Sequence, residues 1–268
     1  MGLPFGEHCP PMLRVAALLL ALGLAGAPAG AADRTLDQVK AALAAATPER
    51  PARLDGADLS DLDLSGLDFR RASLHGANLF ASRLVNANFA GTDLGGANLN
   101  GAWLMGADFT GARMEGASLL SVVVLGGEVK KLPVFEHADL RGVRMIADLP
   151  GANLAGADLA GARIGVDIRN QGMGQMRTDL SGANLARCKL AKADVSRTLL
   201  PFANLGGCDL RGANFFRSKL AGANLEGADV SGADFTEADL SGTVLRGAKG
   251  LDQAVGLDRA ENADKAVR

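Results

Sequence analysis

The sequence contains no tyrosine, one tryptophan and ten phenylalanines, so aromatic residues make up only 4% of its 268 positions. An ordinary globular core uses more rings than this, whereas a narrow interior filled with small and medium side chains does not need them. The three histidines have no cysteine or second histidine at metal-ligand spacing, so we expect no metal or other cofactor. Nucleotide-binding and serine-hydrolase motifs are also missing, which disfavours an enzyme.

The first 31 residues have the composition of a secretory signal peptide. Arg14 precedes an apolar run at residues 15–25, and small residues follow, with Ala29-Gly30-Ala31 and Gly30-Ala31-Ala32 as alternative cleavage sites. An uncleaved anchor is the alternative, although the run is short for a membrane span. No later segment is apolar enough to cross a bilayer. We therefore expect a mature protein without a membrane span, either periplasmic or secreted.

A five-residue repeat begins at residue 52. A large apolar residue stands at the centre of each repeat, a small residue lies two positions earlier, and a polar residue lies between them. This alternation is typical of a very short strand with one buried face, and the glycine that follows allows a tight corner. In the first block the central residues are Leu54, Leu59, Leu64, Phe69, Leu74, Leu79, Leu84, Phe89, Leu94, Leu99, Leu104, Phe109, Met114, Leu119 and Val124.

The spacing of the phenylalanines predicts four sides per turn. Phenylalanine replaces leucine at residues 69, 89 and 109, and again at 215 and 235, always twenty residues apart. Rings are easiest to place above one another, so twenty residues should complete one turn of a coil. The same interval separates Cys188 from Cys208, and it would place Arg83 above Asp63 and Lys189 next to Asp209 as ladders of solvated side chains.

These repeats resemble those of the pentapeptide-repeat proteins, whose A(D/N)LxG motif is matched over residues 52–126, 138–166 and 178–247. The resemblance implies an all-β, right-handed, four-sided parallel β-helix with the central and small residues pointing inward. It implies no catalytic residues, because the family does not share one activity. We assign the repeat domain to residues 51–247, with irregular segments at 127–137 and 167–177.

Both ends of a β-helix expose open strand edges, which need covers. Thr35 and Gln38 form a capping-box pattern before an amphipathic segment, so residues 33–50 are predicted to be an N-terminal capping helix. Residues 248–268 become helix-like after Leu257, which predicts a C-terminal helical cap or tail. A dimerisation helix is the alternative for this second segment, and the oligomeric state stays open.

The irregular segments are where a specific function is expected. In the first, Val129 and Val134 keep the phase of the central residues, which predicts that the coil continues with a bulge near His137. In the second, Arg169 and Gly174 would be central, so this segment is expected to leave the wall as a loop. Basic and polar residues predict a partner-binding patch, with solvated loops as the alternative. The patch comprises Lys130, Lys131, His137, Arg169, Asn170 and Arg177.

Two further features have functional and structural interpretations. Trp103 is predicted to point outward, either as an interface anchor or as an incidental exposed ring. Cys188 and Cys208 occupy small inward positions one turn apart, so they are either a disulfide or two buried free thiols.

The overall charge narrows the function classes. Lysine and arginine number 28 against 30 acidic residues, giving a net charge of −2, so we expect no nucleic acid partner. The leading hypothesis is a non-catalytic exported scaffold that binds an unidentified protein. Some proteins of the family mimic a DNA duplex and bind DNA gyrase, but a signal peptide and a nearly neutral charge disfavour that alternative. An enzyme is the third and least favoured class.

Overall fold

The computed structural model describes residues 33–124, 131–165 and 177–267. Regular elements are short: helix α1 is Leu36–Ala44, and strands β1 to β4 are Ala52–Arg53, Ala72–Ser73, Ser118–Val122 and Arg144–Ala147. A 3₁₀-helix follows at Ala263–Lys265. β1 pairs in parallel with β2, and β3 with β4. Most of the remaining repeats form single parallel bridges, so these residues build a parallel β-helix.

Each turn of the coil contributes to four ladders of parallel bridges, which we call walls A to D. In the first turn the outward residues of these walls are Asp58, Asp63, Asp68 and Arg53, and their partners one turn later are Asn78, Arg83, Asn88 and Ser73. The hydrogen bonds repeat with the same period. The central Leu59 N–H donates to the carbonyl of Asn78 over 2.8 Å, and the Asn78 N–H donates back to Ala57 over 2.9 Å.

The preference for aspartate or asparagine at the outward position has a local cause. The side-chain oxygen of Asn98 accepts a hydrogen bond from the backbone N–H of Asn100 over 3.1 Å, and Asp108 does the same for Thr110 over 2.9 Å. Each of these side chains therefore stabilises the corner that follows it in the chain, as in an Asx-turn. The corner itself uses left-handed backbone, for example at Gly96, where φ is 66°.

The interior is a column of central and small residues, nearly all of them fully buried. Phe69, Phe89, Phe109 and Phe135 stack on wall C, with successive ring centroids 4.6, 5.0 and 5.0 Å apart. This stack corrects the expected phase of the first interruption. Phe135 is the inward residue at the first interruption, whereas Val134 points outward and bridges Asp108 and Asn153. Phe215 and Phe235 form a second stack, at 5.2 Å, on wall A.

Each interruption adds residues at a single corner. Val124 and Phe135 are consecutive central residues on walls B and C, and Ile164 and Leu180 are consecutive on walls A and B. From Val124 to Leu140 the coil therefore takes two steps, instead of the three that central residues at Val129 and Val134 would give, and from Ile164 to Leu180 it takes one. Of the inserted residues, 125–130 and 166–176, including Val129, Arg169 and Gly174, lie outside the described part.

The N-terminal helix covers the first turn. The capping box is present: the Gln38 N–H donates to Thr35 Oγ1 over 3.3 Å, and the Thr35 N–H donates to Gln38 Oε1 over 2.8 Å. Val39 is fully buried, with Leu36 and Leu43 partly buried against the core. A helix is favoured here because its apolar stripe buries the ends of the first-turn side chains that would otherwise face water.

The C-terminal segment is another turn of the coil, not the helical cap that we predicted. Lys249, Val255, Glu261 and Val267 each bridge the turn below, and the only helical residues described in this segment are the three at Ala263–Lys265. Sides of this turn have six residues instead of five. Its inward residues are mostly alanine and leucine and close the core from above: Ala248, Leu251, Ala254, Leu257, Ala260, Ala263 and Ala266.

Candidate functional site

Trp103 marks an apolar strip on wall B. Its side chain points outward, with 37% of its surface exposed, between Arg83 one turn below and Val123 one turn above. The Arg83 guanidinium carbon lies 5.0 Å from the centre of the indole ring, and its Nε lies 3.6 Å from Asp63 Oδ2. The cation–π contact and the ion pair hold the Arg83 side chain against the indole ring. Trp103 is therefore part of a preorganised surface.

Exposed aromatic rings also lie at both edges of wall B. Phe80 is 48% exposed at the corner between walls A and B, and Phe202 is 75% exposed at the corner between walls B and C. Phe216 is half-buried at the A–B corner, and the guanidinium carbons of Arg217 and Arg197 lie over its ring, 4.9 and 5.5 Å from the ring centre. Among the described single-bridge positions of the other walls, the apolar outward residues are valines, whereas Leu120 and Ile146 pair between β3 and β4 next to the A–B corner.

A groove of about 400 Å³ opens at the corner between walls A and B. Four positions separate Arg144 from Asp148 where five are usual, so β4 runs straight past the corner while Ser121 in β3 keeps a left-handed φ of 56°. The resulting register shift leaves space between the turns. The groove combines apolar and charged groups: Ser121, Val122, Ile146, Ala147, Asp148, Arg177, Asp179 and Leu199.

The described residues of the predicted basic patch lie at three different corners of the coil. Lys131 lies at the B–C corner, where its carbonyl accepts the Gly106 N–H over 2.6 Å. His137 lies at the C–D corner, with Nε2 3.8 Å from Glu136 Oε1, and Arg177 lies at the A–B groove. The remaining members, Lys130, Arg169 and Asn170, lie outside the described residues.

A larger groove, of about 760 Å³, separates α1 from the first turn. Its charged side includes Arg70, whose guanidinium is held by Asp68 of the same repeat at 2.6 Å. Leu43 and Leu67 line its apolar side and pack against the core. We assign this groove to the junction between cap and coil, because its apolar lining is shared with the capping contact.

The repeats match a known family model. Eight copies of the model for pentapeptide repeats match residues 52–80, 82–119, 178–217 and 213–249, which together make up more than half of the chain. The chain belongs to the pentapeptide repeat family. A search against curated protein sequences found no match.

Solved structures of pentapeptide repeat proteins are similar to this chain. HetL from Nostoc sp. strain PCC 7120, involved in regulating heterocyst differentiation, is 28% identical, with 88% of this chain and 100% of HetL covered and a TM-score of 0.43. Rfr23 from Cyanothece 51142 is 28% identical over 45% of this chain and 90% of its own, with a TM-score of 0.25. Full-length QnrB1, a plasmid-mediated fluoroquinolone resistance protein, is 19% identical over 78% and 95%, with a TM-score of 0.27.

Wall D of this pentapeptide repeat protein carries a ladder of opposite charges. In Asp139-Leu140-Arg141 and Asp209-Leu210-Arg211 the arginine binds the aspartate of its own repeat through two hydrogen bonds, at 2.8 and 2.7 Å. The Arg141 Nη2 also lies 3.0 Å from Glu115 Oε2. These hydrogen bonds from arginine hold the pKa values of Asp139 and Asp209 below the ordinary carboxyl range.

The lowered carboxyl pKa values predict acid sensitivity. A carboxylate whose pKa falls on folding stabilises the protein above its unfolded pKa, and that stabilisation is lost as pH falls through the folded value. We therefore expect the urea midpoint to decrease as pH is lowered from about 5 to about 3. Asp209→Asn should reduce the slope of this decrease, while Asn224→Ser, a change at an outward position of wall C that removes no carboxyl group, should leave it unaltered. An equal slope in all three proteins would contradict the role of the ladder.

No group of three or more histidine, cysteine, aspartate or glutamate side chains in residues 33–124, 131–165 and 177–267 is arranged to hold a metal ion. Within the same ranges, the helices are too short or too polar to cross a membrane.

Proposed function

We propose that this protein is a non-catalytic, exported scaffold that binds a protein partner through wall B. The observation that carries the proposal is the concentration of exposed rings along one wall and its two corners, next to a groove with apolar and charged groups. Tryptophan and arginine are enriched among residues that dominate binding energy, and here Trp103 and Arg83 are in contact. A protein surface with an apolar centre and charged surroundings is the matching partner.

Rigidity supports a binding role. Both backbone groups of the outward residues along the regular walls are engaged in hydrogen bonds with the turn below, as at Asn78 and Asn98. Side chains on such a wall lose little further freedom when a partner binds, which reduces the entropic cost of association. We further infer that the four ladders follow a right-handed, four-sided path, since parallel crossovers are almost always right-handed.

Export is part of the proposal. The run of apolar residues at 15–25, with Arg14 before it and small residues after it, supports a signal peptide at residues 1–31 and a periplasmic or secreted mature protein. In this scheme residues 33–50 cover the first turn, residues 51–247 form the repeat domain, and residues 248–268 close the other end. The oxidising environment outside the cytoplasm then becomes relevant to the two cysteines of the mature chain.

The gyrase-binding alternative gains no support from the surface. A DNA mimic needs a strongly negative face, whereas the net charge here is −2 and wall D carries charges of both signs, as in the pairing of Arg113 with Asp93. A scaffold that recognises an apolar and charged protein surface agrees better with wall B.

The test compares two double variants at equivalent repeat positions. Trp103→Ser with Leu199→Ser changes wall B, and Val134→Ser with Val244→Ser makes similar changes at outward positions of wall C. Tagged proteins are expressed in the native cell, crosslinked without lysis, and recovered from the exported fraction. We expect the wall B variant to lose at least about 90% of the captured partner, because truncating an interface anchor costs about 2 kcal/mol or more. The wall C variant should retain it.

Two outcomes would contradict different parts of the proposal. Equal capture by both variants would remove wall B as the binding face. Recovery of an unprocessed protein from the cytosolic fraction, established by intact mass, would exclude export and would revive the cytosolic alternative. Equal urea midpoints of the two variants, measured beforehand, ensure that a loss of capture does not reflect a loss of fold.

A further inference from the structure

Cys188 and Cys208 occupy the same inward position on successive turns of wall D. Their neighbours Lys189 and Asp209 are bridge partners, so the two cysteines face the interior directly above one another. Both are fully buried free thiols in the structure. Most described repeats of this wall have alanine at this position, including Ala138, Ala157 and Ala228. Core packing at this position is therefore satisfied by alanine and does not by itself explain the two cysteines.

The two sulfur atoms are close to bonding distance. Sγ of Cys188 lies 2.8 Å from Sγ of Cys208. A disulfide requires about 2.05 Å between sulfurs and Cα atoms roughly 4.4–6.8 Å apart, and bridged neighbours of parallel strands lie about 4.8 Å apart. Closing the remaining gap thus takes less than about 1 Å of movement, which rotation of the two side chains and slight compression of the turns supply.

We propose that Cys188 and Cys208 form an intramolecular disulfide that staples two consecutive turns of the coil. The oxidant is a second disulfide, either of a thiol oxidase protein or of a small molecule such as oxidised glutathione. A thiolate of the pair attacks that disulfide and displaces one thiol, and the second cysteine then displaces the other. One S–S bond forms in the protein, two electrons and two protons pass to the oxidant, and its disulfide becomes two thiols.

The staple forms while the coil is still incomplete. Burial raises the pKa of the Cys188 thiol well above its usual value, so the folded protein contains little Cys188 thiolate to start the exchange. The Cys208 sulfur also lies 2.9 Å from the Leu185 carbonyl oxygen inside the core, out of contact with solvent. Oxidation should therefore be fast during refolding and slow in the native protein. Once formed, the bond should resist reductants for the same reason.

The test uses the full chain with Cys9→Ser, which leaves only the proposed pair. Reduced protein is unfolded in urea and refolded with oxidised glutathione, and its mass and free thiols are measured after alkylation. We expect a loss of about 2 Da and of both free thiols, with a melting temperature roughly 5–10 °C above that of the reduced form. The same oxidant added to folded, reduced protein should act at least about tenfold more slowly.

The matched controls are Cys188→Ala and Cys208→Ala, which introduce the residue that neighbouring repeats use. Both should fold and melt near the reduced wild type, and glutathione should not change the melting temperature of either one. Two free thiols in the refolded wild type would refute the proposal, and so would an oxidised form that melts no higher than the reduced form. The inference depends on the proposed export only for the natural oxidant, so failure of the refolding test leaves export and wall B binding untouched.

Discussion

Replacing Phe109 with alanine should reduce the free energy of unfolding by about 3–5 kcal/mol. The ring is fully buried and lies 5.0 Å from both Phe89 below and Phe135 above. Removing it leaves a cavity between two rings that the rigid spacing of the turns holds apart, so the neighbours cannot collapse to fill it. The loss should appear as a lower midpoint in urea, followed by circular dichroism at fixed protein concentration.

Phe202→Ala is the matched control, because it removes the same side chain from a corner where 75% of its surface is exposed. Its effect should stay within about 0.5 kcal/mol. Phe109 also connects the turns before and after the first interruption through Phe135. A variant that lost the lower turns in a separate, earlier transition would agree with this coupling, since repeat proteins are stabilised through nearest-neighbour contacts. Equal midpoints for the two variants would contradict the stacking role.

The regular part of the fold was predictable because the sequence of each repeat indicates which of its residues are buried, exposed or at a corner. Outward, inward and corner positions recur in five residues, so the burial of Leu59, Leu79 and Leu99 follows from local sequence alone. The predicted neighbours also meet, since Arg83 bridges Asp63 and Lys189 bridges Asp209. In the ion pairs, however, Lys189 Nζ reaches Asp158 of the turn below, at 3.1 Å. Side-chain choice between two turns depends on rotamers that no repeat pattern encodes.

The phase across an interruption was not predictable from spacing. Val134 lies five residues after Val129 and is apolar, so it satisfies the repeat as well as a true core residue does. The structure selects Phe135 because its ring continues the stack above Phe109, which is a contact between residues 26 positions apart. The wall of the second phenylalanine pair could not be predicted from spacing for the same reason, and this pair lies on wall A.

Part of the candidate site could have been predicted from the sequence, and part could not. Trp103 and Val123 are twenty residues apart in an uninterrupted block, so their common wall was readable from the sequence. Leu199 joins that wall only after three corners of altered length, and the groove beside it lies at one of them, the one-residue shortening between Arg144 and Asp148. A binding face that spans interruptions requires the exact number of corners, which composition and spacing do not supply.

Ala183 is a small, fully buried residue that points inward. Ala183→Asp should reduce the free energy of unfolding by about 3–5 kcal/mol at neutral pH or prevent folding, because it places a carboxyl group in the closed core of wall C. The introduced carboxyl should bind its proton more tightly in the folded state than in the unfolded one. The variant should therefore regain stability relative to the parent as pH falls, and lose it as pH rises through the folded pKa.

Ala186→Asp makes the same chemical change three residues later, at the half-buried corner of the same repeat. Its carboxylate can remain hydrated, so the urea midpoint should change by an amount equivalent to about 0.5 kcal/mol or less, without the opposite pH trend. Comparing the two variants with the parent at several pH values separates burial from any general effect of added negative charge. A similar loss in both would mean that net charge, and not the inward direction of Ala183, limits stability. A small loss at Ala183 alone would mean that the interior of this turn admits water, which is incompatible with the dry, continuous core that joins the walls.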